Sequence, residues 1–417
     1  MEYLFDINED KTISLEDLFQ AYYDCRKNKR TKKTALMFEQ DYEDNLISLW
    51  KDINDYKYFP QQSSCFIVNK PVKREIFAAE FKDRVVHHLL INKTIDIFEK
   101  YFIKDSYSCR YGKGTLYGQK EIYKKISECS NNYTTDCYVL KLDIKAFFMN
   151  IDKVLLYKMV KKILIEYYKK PDLKIILYLY EKVIFNNPTL NANICSNIKD
   201  WNTLPKDKSM FFSKKNKGLA IGNLTSQILA NIYLTQLDYF IKHKLKIKYY
   251  GRYVDDFVLI DKDKQFLLLQ INLIKEFLYK DLGLILHPKK IYIQHYSKGL
   301  LYIGGYLKQN RVYVGNRTKT NFYNKIMYLN NQPIDDNLLK DVRNCVNSYL
   351  GLMRHYNSFN IRRKAINMLS LPIMKNFKYT TSCKKISLKG SRDYYDQFLL
   401  GGDCNRKKPY KFSRMPS

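Results

Sequence analysis

Residues 248–260 read KYYGRYVDDFVLI, and this stretch decides the fold. Two adjacent acids, Asp255 and Asp256, sit between runs of aromatic and β-branched residues. Such runs favour strands, so the acids fall at the tip of a β-hairpin. A pair of acids in an ordinary solvated turn is the competing reading, and strand-like composition on both sides argues against it. Two carboxylates held at a hairpin tip can grip divalent metal, which stabilises the charge of phosphoryl transfer.

A two-ion site needs a further acid from a separate strand. Residues 140–151 (LKLDIKAFFMNI) supply it: Asp143 ends a predicted strand over 138–143, and a helix follows over 153–169. Asp143 and Asp255 are the expected bridging ligands for two ions roughly 3.5–4 Å apart, with Asp256 the adjacent ligand. Mg2+ keeps waters and takes few protein carboxylates plus substrate phosphates, which suits three acids. Mn2+ is the alternative ion. Three unrelated turn aspartates remain the bland reading, weakened by the hairpin around two of them.

Composition agrees with a phosphate-rich partner. Lys+Arg 72 against Asp+Glu 42 leaves a formal charge of +30 over 417 residues. That excess favours a polyanion, nucleic acid first. Richness in Lys, Ile, Asn and Tyr also fits an AT-rich genome, which discounts the charge somewhat. The length suits two or three domains, and a hydrophobic content of 46% suits a folded globular protein. Most of the 37 Tyr and 23 Phe read as core, with some available to stack on bases. The cysteines (25, 65, 109, 129, 137, 195, 345, 383, 404) are scattered with no C-x-x-C pair, so neither a zinc site nor a disulfide framework is expected. A reducing cytoplasm follows. The acidic, polar start predicts no signal peptide, and no apolar run reaches the ~18 residues of a membrane span. The run DINED over 6–10 lacks the glycine and final Glu of a calcium loop; it reads as a turn before a helix cap.

Periodicity predicts helices over 15–26, 37–55, 81–101, 225–244 and 264–282. Strands are expected over 66–69, 73–77, 138–143, 291–294 and 301–306. Residues 186–217, with Pro188 and Pro205, read as a loop insertion. Helices dominate from 318 to about 376. The basic remainder reads as a loosely held tail.

The motifs together resemble those of reverse transcriptases of the group II intron-like bacterial lineage, and within it those of diversity-generating retroelements. Tyr253-Val254-Asp255-Asp256 is similar to the family's motif C, and Asp143 to motif A. Residues 71–88 (PVKREIFAAEFKDRVVHH) and 106–115 (SYSCRYGKGT) resemble its two fingers blocks. Residues 218–234 (GLAIGNLTSQILANIYL) resemble motif B, 282–290 (LGLILHPKK) motif D, 302–306 (YIGGY) motif E and 350–357 (LGLMRHYN) the thumb. The blocks run in the family's order over residues 60 to 365. The resemblance implies an α+β right-hand polymerase fold with fingers, a palm of antiparallel sheet packed on helices, and a helical thumb. Its boundaries would be an N-terminal helical extension over 1–60, fingers over 61–137, palm over 138–310 including the insertion, thumb over 311–376 and tail over 377–417.

It also implies roles. Arg74 and Arg84 would clamp the incoming triphosphate, with Lys73 nearby as a point charge. Arg110, Lys113 and Gly114 would meet the template, as would Tyr253, Gly304 and Arg317 along the nucleic acid. Solvated surface charge is the alternative for each cation. Ile144 joins Asp143, Asp255 and Asp256 around the metals. Phe148, five residues after Asp143, would be an aromatic gate against a 2′-OH, with Phe147 facing the core; both facing the core is the alternative. Gly222 lets backbone approach the nucleotide, and Thr225 or Ser226 caps the following helix. Lys290 would donate a proton to leaving pyrophosphate, against a plain surface lysine.

Motif B departs from its commonest form, Gln-Gly-x-x-x-Ser-Pro. Here it reads Ile221-Gly222-Asn223-Leu224-Thr225-Ser226-Gln227. The family pairs this Ile and Gln with error-prone copying opposite template adenines. The implied activity is an RNA-directed DNA polymerase copying template RNA into mutagenised cDNA. Its partners would be template RNA, RNA/DNA duplex, dNTPs and a small basic accessory protein, in a bacterial or phage-encoded, cytoplasmic, membrane-free setting. The basic residues Arg406, Lys407, Lys408, Lys411 and Arg414 would hold RNA or that partner, or merely solubilise the chain. No appended nuclease pattern is expected. The competing functions are a stand-alone reverse transcriptase of antiphage defence using a noncoding RNA, and a non-polymerising RNA-binding or maturase-like protein.

Overall fold

The computed structural model describes residues 12–27, 32–69 and 72–390. The run over 6–10 and the basic cluster over 406–414 lie outside them, as does Pro71 of the first fingers block. The described chain mixes helix and antiparallel sheet and divides into two units, one ending at Tyr296 and the other beginning at Ser297. No helix among the described residues is long and apolar enough to cross a membrane.

The first unit opens with α1 (Leu15–Arg26), α2 (Lys33–Glu39) and α3 (Tyr42–Asn54). Ser14 caps α1 by accepting from the Asp17 backbone. Periodicity had predicted one helix over 37–55, but the chain breaks at 40–41. There Asp41 leaves helical φ, and the Asn45 amide satisfies the Phe38 carbonyl at 3.1 Å. β1 (Ser64–Val68) and β2 (Arg74–Ala78) pair antiparallel, and α4 (Phe81–Tyr101) follows. A helix over 81–101 is found as expected. α5 (Thr115–Cys129) was not singled out by periodicity.

The central sheet is formed by β3 (Tyr138–Asp143) and later strands. Between them come α6 (Phe147–Asn150), α7 (Lys153–Tyr167), α8 (Leu173–Phe185) and the short β4 (Asn193–Ile194). β4 adds to β1 in parallel, so the stretch read as a loop insertion carries a strand and several 3-10 turns. Then follow α9 (Leu224–Tyr239), β5 (Tyr249–Tyr253), β6 (Asp256–Asp261), α10 (Lys264–Leu282) and β7 (Tyr292–His295). After α9 the chain makes one wide π-type turn over Phe240–Lys244. Neither Thr225 nor Ser226 caps α9; Asn223 takes the N-cap position, and the Thr225 hydroxyl is buried against His87 Nδ1 at 2.8 Å.

The sheet order is β5-β6-β3-β7, all antiparallel. Alternation sends Leu140, Leu142, Phe257 and Leu259 into the large core shared with the helices. The opposite face carries Lys141, Asp143 and Asp256. On that face α5 packs against β5 so closely that a Cβ on Gly251 would lie 2.7 Å from Ile122 and Tyr107.

The second unit begins with a meander of β8 (Leu300–Tyr302), β9 (Gly305–Lys308) and β10 (Arg311–Val314). Helices α11 (Asn316–Asn330), α12 (Asp336–Met353), α13 (Phe359–Asn367) and α14 (Leu371–Met374) follow. The described residues close with the hairpin β11 (Phe377–Tyr379) and β12 (Ile386–Leu388). The reading of a loose tail from 377 is corrected for 377–390. Phe377, Cys383 and Ile386 are buried in this unit's core, where three apolar anchors fix a segment too short to show periodicity.

Candidate active site

The hairpin of β5 and β6 turns through Val254 and Asp255, and it places the acids at its tip. Val254 takes a φ of 54°, which costs a β-branched residue, so neighbours must hold it. Its N–H donates to Ser108 Oγ at 3.1 Å, and its carbonyl accepts from Arg252 Nη1 at 3.0 Å. Arg252 is fully buried and also bonds both oxygens of Asp238 at 2.6 and 2.7 Å. Asn231 and the Ser106 hydroxyl accept from the same guanidinium at 3.2 Å, and Tyr250 donates to Asp238 at 2.7 Å. A buried charge pair supported this fully gives the turn one geometry.

Asp143 and Asp256 are direct partners across β3 and β6, and the Ile144 N–H donates to the Asp255 carbonyl at 3.3 Å. The three acids predicted from sequence therefore come from two adjoining strand ends and the turn between strands. Burial first, and then the Asp143 charge, pushes the Asp255 carboxyl up to about 6. Burial also pushes Asp256 up to about 6, against the pull of Lys141. Crowded carboxylates of this kind are short of positive charge.

Two lysines partly supply it. Lys290 Nζ lies 3.0 and 2.9 Å from the two oxygens of Asp143, and Lys141 Nζ lies 3.0 Å from Asp256 Oδ2. Asp256 Oδ1 is buried without a hydrogen-bond partner. An orphaned carboxylate oxygen among all-oxygen donors fits a hard divalent cation. Among the described residues no three acidic, His or Cys side chains already converge as a metal cage. A cation on Asp143 must compete with the Lys290 ammonium for the same two oxygens.

The backbone draws residues 219–222 together with Phe148 and β2. Leu219 N–H donates to the Phe148 carbonyl at 2.8 Å, and Phe77 N–H to the Ile221 carbonyl at 2.9 Å. Gly222 has a φ of 131°, and a Cβ there would lie 2.7 Å from the Phe77 carbonyl oxygen. Phe147 is buried, whereas Phe148 is half-buried and packs with Ile221 around Phe77 and Met149. Gln227 is exposed in the first turn of α9. Arg74 is exposed on β2, next to Glu75, which points inward. Arg84 donates to the Ala79 carbonyl at 2.6 Å.

Arg110 is engaged within the fold. It donates to the Glu99 carboxylate at 2.9 Å and to the carbonyls of Glu99, Ile103 and Ser106. Those bonds leave little of it for a template phosphate. Lys113 donates to the Lys104 carbonyl at 2.8 Å, and burial lowers its ammonium to about 8. Gly114 precedes α5 with a φ of 138°, and Tyr253 is half-buried on the hairpin. Gly304 accepts from the Gly315 N–H at 2.9 Å, and Arg317 is exposed on α11; both belong to the second unit.

Sequence reasoning missed Lys141, the Arg252–Asp238 network and Glu75. Lys141 carried a usable signal, since a residue two before Asp143 on a strand shares its face. Glu75 is 1% exposed and accepts from Trp201 Nε1 at 2.7 Å, Ser209 Oγ at 2.7 Å and the Met210 N–H at 2.6 Å. It anchors the insertion to β2.

No family model matches the chain, and no curated protein does. Among solved structures it is similar to telomerase from Candida albicans in complex with a TWJ fragment of telomeric RNA. That match has 10% identity, covers 78% of this chain and 63% of that one, and has a TM-score of 0.43. It is also similar to apo telomerase from Candida tropicalis, at 13% identity over 74% of this chain and 56% of that one, with a TM-score of 0.44. The chain spans less than two thirds of the length of these proteins.

Proposed function

We propose that this chain is an RNA-directed DNA polymerase, with a right-hand layout of fingers, palm and thumb. The observation that carries the reading is the pairing of Asp143 with Asp256 across adjacent strands, one residue from the turn that holds Asp255. Bound Mg2+ ions, held by Asp143, Asp255 and Asp256 with the Ile144 backbone alongside, would supply charge stabilisation for phosphoryl transfer. The chain's own residues do the rest. Arg74 and Arg84 meet the triphosphate. Gly222 leaves room for the nucleotide against backbone that Phe77 fixes. Phe148 presents a ring where a 2′-OH would lie. As the primer 3′-hydroxyl gives up its proton to solvent and its oxygen bonds to the α-phosphorus, the bond to pyrophosphate breaks and Lys290 gives that leaving oxygen its proton.

Ile221 and Gln227 favour a diversity-generating element over a defence enzyme, with template RNA and a small basic protein as partners. A flanking variable gene with a repeat differing at adenines would support that choice. The activity itself is tested by primer extension on an RNA template with dNTPs and Mg2+. The double variant Asp255→Asn, Asp256→Asn should lose synthesis and keep RNA binding. Polymerisation by the double variant would refute the assignment.

A further inference from the structure

We infer that Lys141 is a built-in counter-cation of the acidic site, holding Asp256 through one oxygen and weakening divalent-metal binding at the other. The inference rests on the polymerase reading of the three aspartates. Lys141 and Asp143 lie on one face of β3, where Lys141 pairs with Val258 and Asp143 with Asp256. Its ammonium runs along that face to Asp256 Oδ2 at 3.0 Å. Both side chains are largely enclosed: Lys141 keeps 21% of its side-chain surface exposed and Asp256 24%.

The contact splits the two oxygens of Asp256. Oδ2 is neutralised, whereas Oδ1 is buried and has no hydrogen-bond partner. A lysine at this place does two things. It fixes the carboxylate rotamer so that Oδ1 keeps one direction. It also puts a positive charge within a few ångströms of any cation that Oδ1 would bind, and like charges at that range repel strongly in a half-buried site. Lys290 differs, because it covers both oxygens of Asp143 and is itself 48% exposed in its side chain, so it can swing away. Lys141, on a central strand, keeps only 21% of its side-chain surface exposed, so its ammonium is the more confined of the two. The repulsion therefore persists when Lys290 moves. It keeps metal affinity moderate, as an enzyme that must release its product-bound ion after every addition requires. Lys141 is a positioning residue, acting through its contact with Asp256 and through its charge.

The test is Mn2+ binding to the whole chain, measured by electron paramagnetic resonance of free Mn2+ without nucleotide. Lys141→Met should bind Mn2+ about tenfold tighter than the parent. Lys141→Arg, which keeps the charge, should bind like the parent. Unchanged affinity in Lys141→Met overturns the inference, and so does weaker binding, because rotamer control would then outweigh repulsion. Asp255→Asn is measured alongside. If it abolishes Mn2+ binding while Lys141→Met leaves affinity unchanged, the polymerase reading stands and the inference alone fails. If Asp255→Asn binds as the parent does, the metal assignment itself fails. Should Lys141→Met fold poorly, Lys141→Gln gives the same charge change with a hydrogen-bond donor retained.

Discussion

Arg252 and Asp238 form a fully buried two-point ion pair behind the acidic hairpin. The guanidinium also holds the Val254 carbonyl, so the pair ties α9 to the turn that carries Asp255. Removing the guanidinium strands a buried carboxylate and releases a strained turn. Arg252→Met should cost about 3–5 kcal/mol of stability, read by urea denaturation. Asp238→Asn keeps the shape but leaves the buried guanidinium without its counter-charge, so it too should lose about 3–5 kcal/mol of stability along with most synthesis. Normal synthesis in Asp238→Asn would detach the network from the turn.

The acids themselves weigh against the fold. Asp255 and Asp256 both sit at about 6 in the folded chain, above their ordinary 3.8. A carboxyl raised in this way binds its proton more tightly when folded. Stability without metal therefore rises as pH falls through about 6 towards 4, and is lowest where both are ionised. Asp255→Asn should raise the neutral-pH stability of the metal-free protein by about 1 kcal/mol. The gain should vanish at pH values near 4. Thermal melts across pH in chelator check both.

Glu75 gives a different kind of test, because it acts at a distance from the acids. Its carboxylate accepts from Trp201, Ser209 and Met210, all in the insertion. Glu75→Ala leaves three donors unpaired, at about 3 kcal/mol. The exposed Lys199, Lys206 and Lys208 then become accessible to trypsin, so limited proteolysis should cut within 199–208 faster than in the parent. Equal cleavage rates would show that the insertion holds itself.

How far the sequence reveals this site depends on range. The hairpin, the β3 terminus and the helices over 81–101 and 264–282 rest on local periodicity and were legible. The placement of Asp143, Asp255 and Asp256 at strand ends and in the hairpin turn was legible because strand-like runs flank them. The Arg252–Asp238 pair joins residues 14 apart, and the Glu75 contacts join residues up to 135 apart. No local pattern reports such pairings. Arg110 looked like a template contact for the same reason: its partner Glu99 lies on a preceding helix that alone shows nothing of the bond. The hairpin over 377–388 escaped notice because each of its strands is only three residues long.

Phe148 can be tested for substrate choice with little damage. It is half-buried, with its ring 5.4 Å from that of Phe147 and edge-on to it, and Phe147 carries the core contact. Phe148→Val should cost about 1–2 kcal/mol of stability. It should raise ribonucleotide incorporation by about 10- to 100-fold relative to dNTPs, the gain expected from removing a ring that the proposed function sets against one hydroxyl. The check is steady-state incorporation of each nucleotide on the same primer. An unchanged ratio would place Phe148 with the core instead.

Ile221 tests the most particular part of the reading. Its carbonyl is fixed by Phe77 N–H, and its side chain packs with Phe77, Met149 and Met210. An apolar side chain there offers no hydrogen bond to a nucleotide, so it cannot help distinguish a correct base pair. Ile221→Gln restores a polar group beside Gly222. The amide leaves an apolar cluster, so stability should fall by about 1 kcal/mol. Misincorporation opposite template adenines should fall, while errors at other template bases change less. Sequencing cDNA from an adenine-rich RNA template measures both. Equal error spectra for parent and variant would remove Ile221 from fidelity, and with it the main support for a diversifying element.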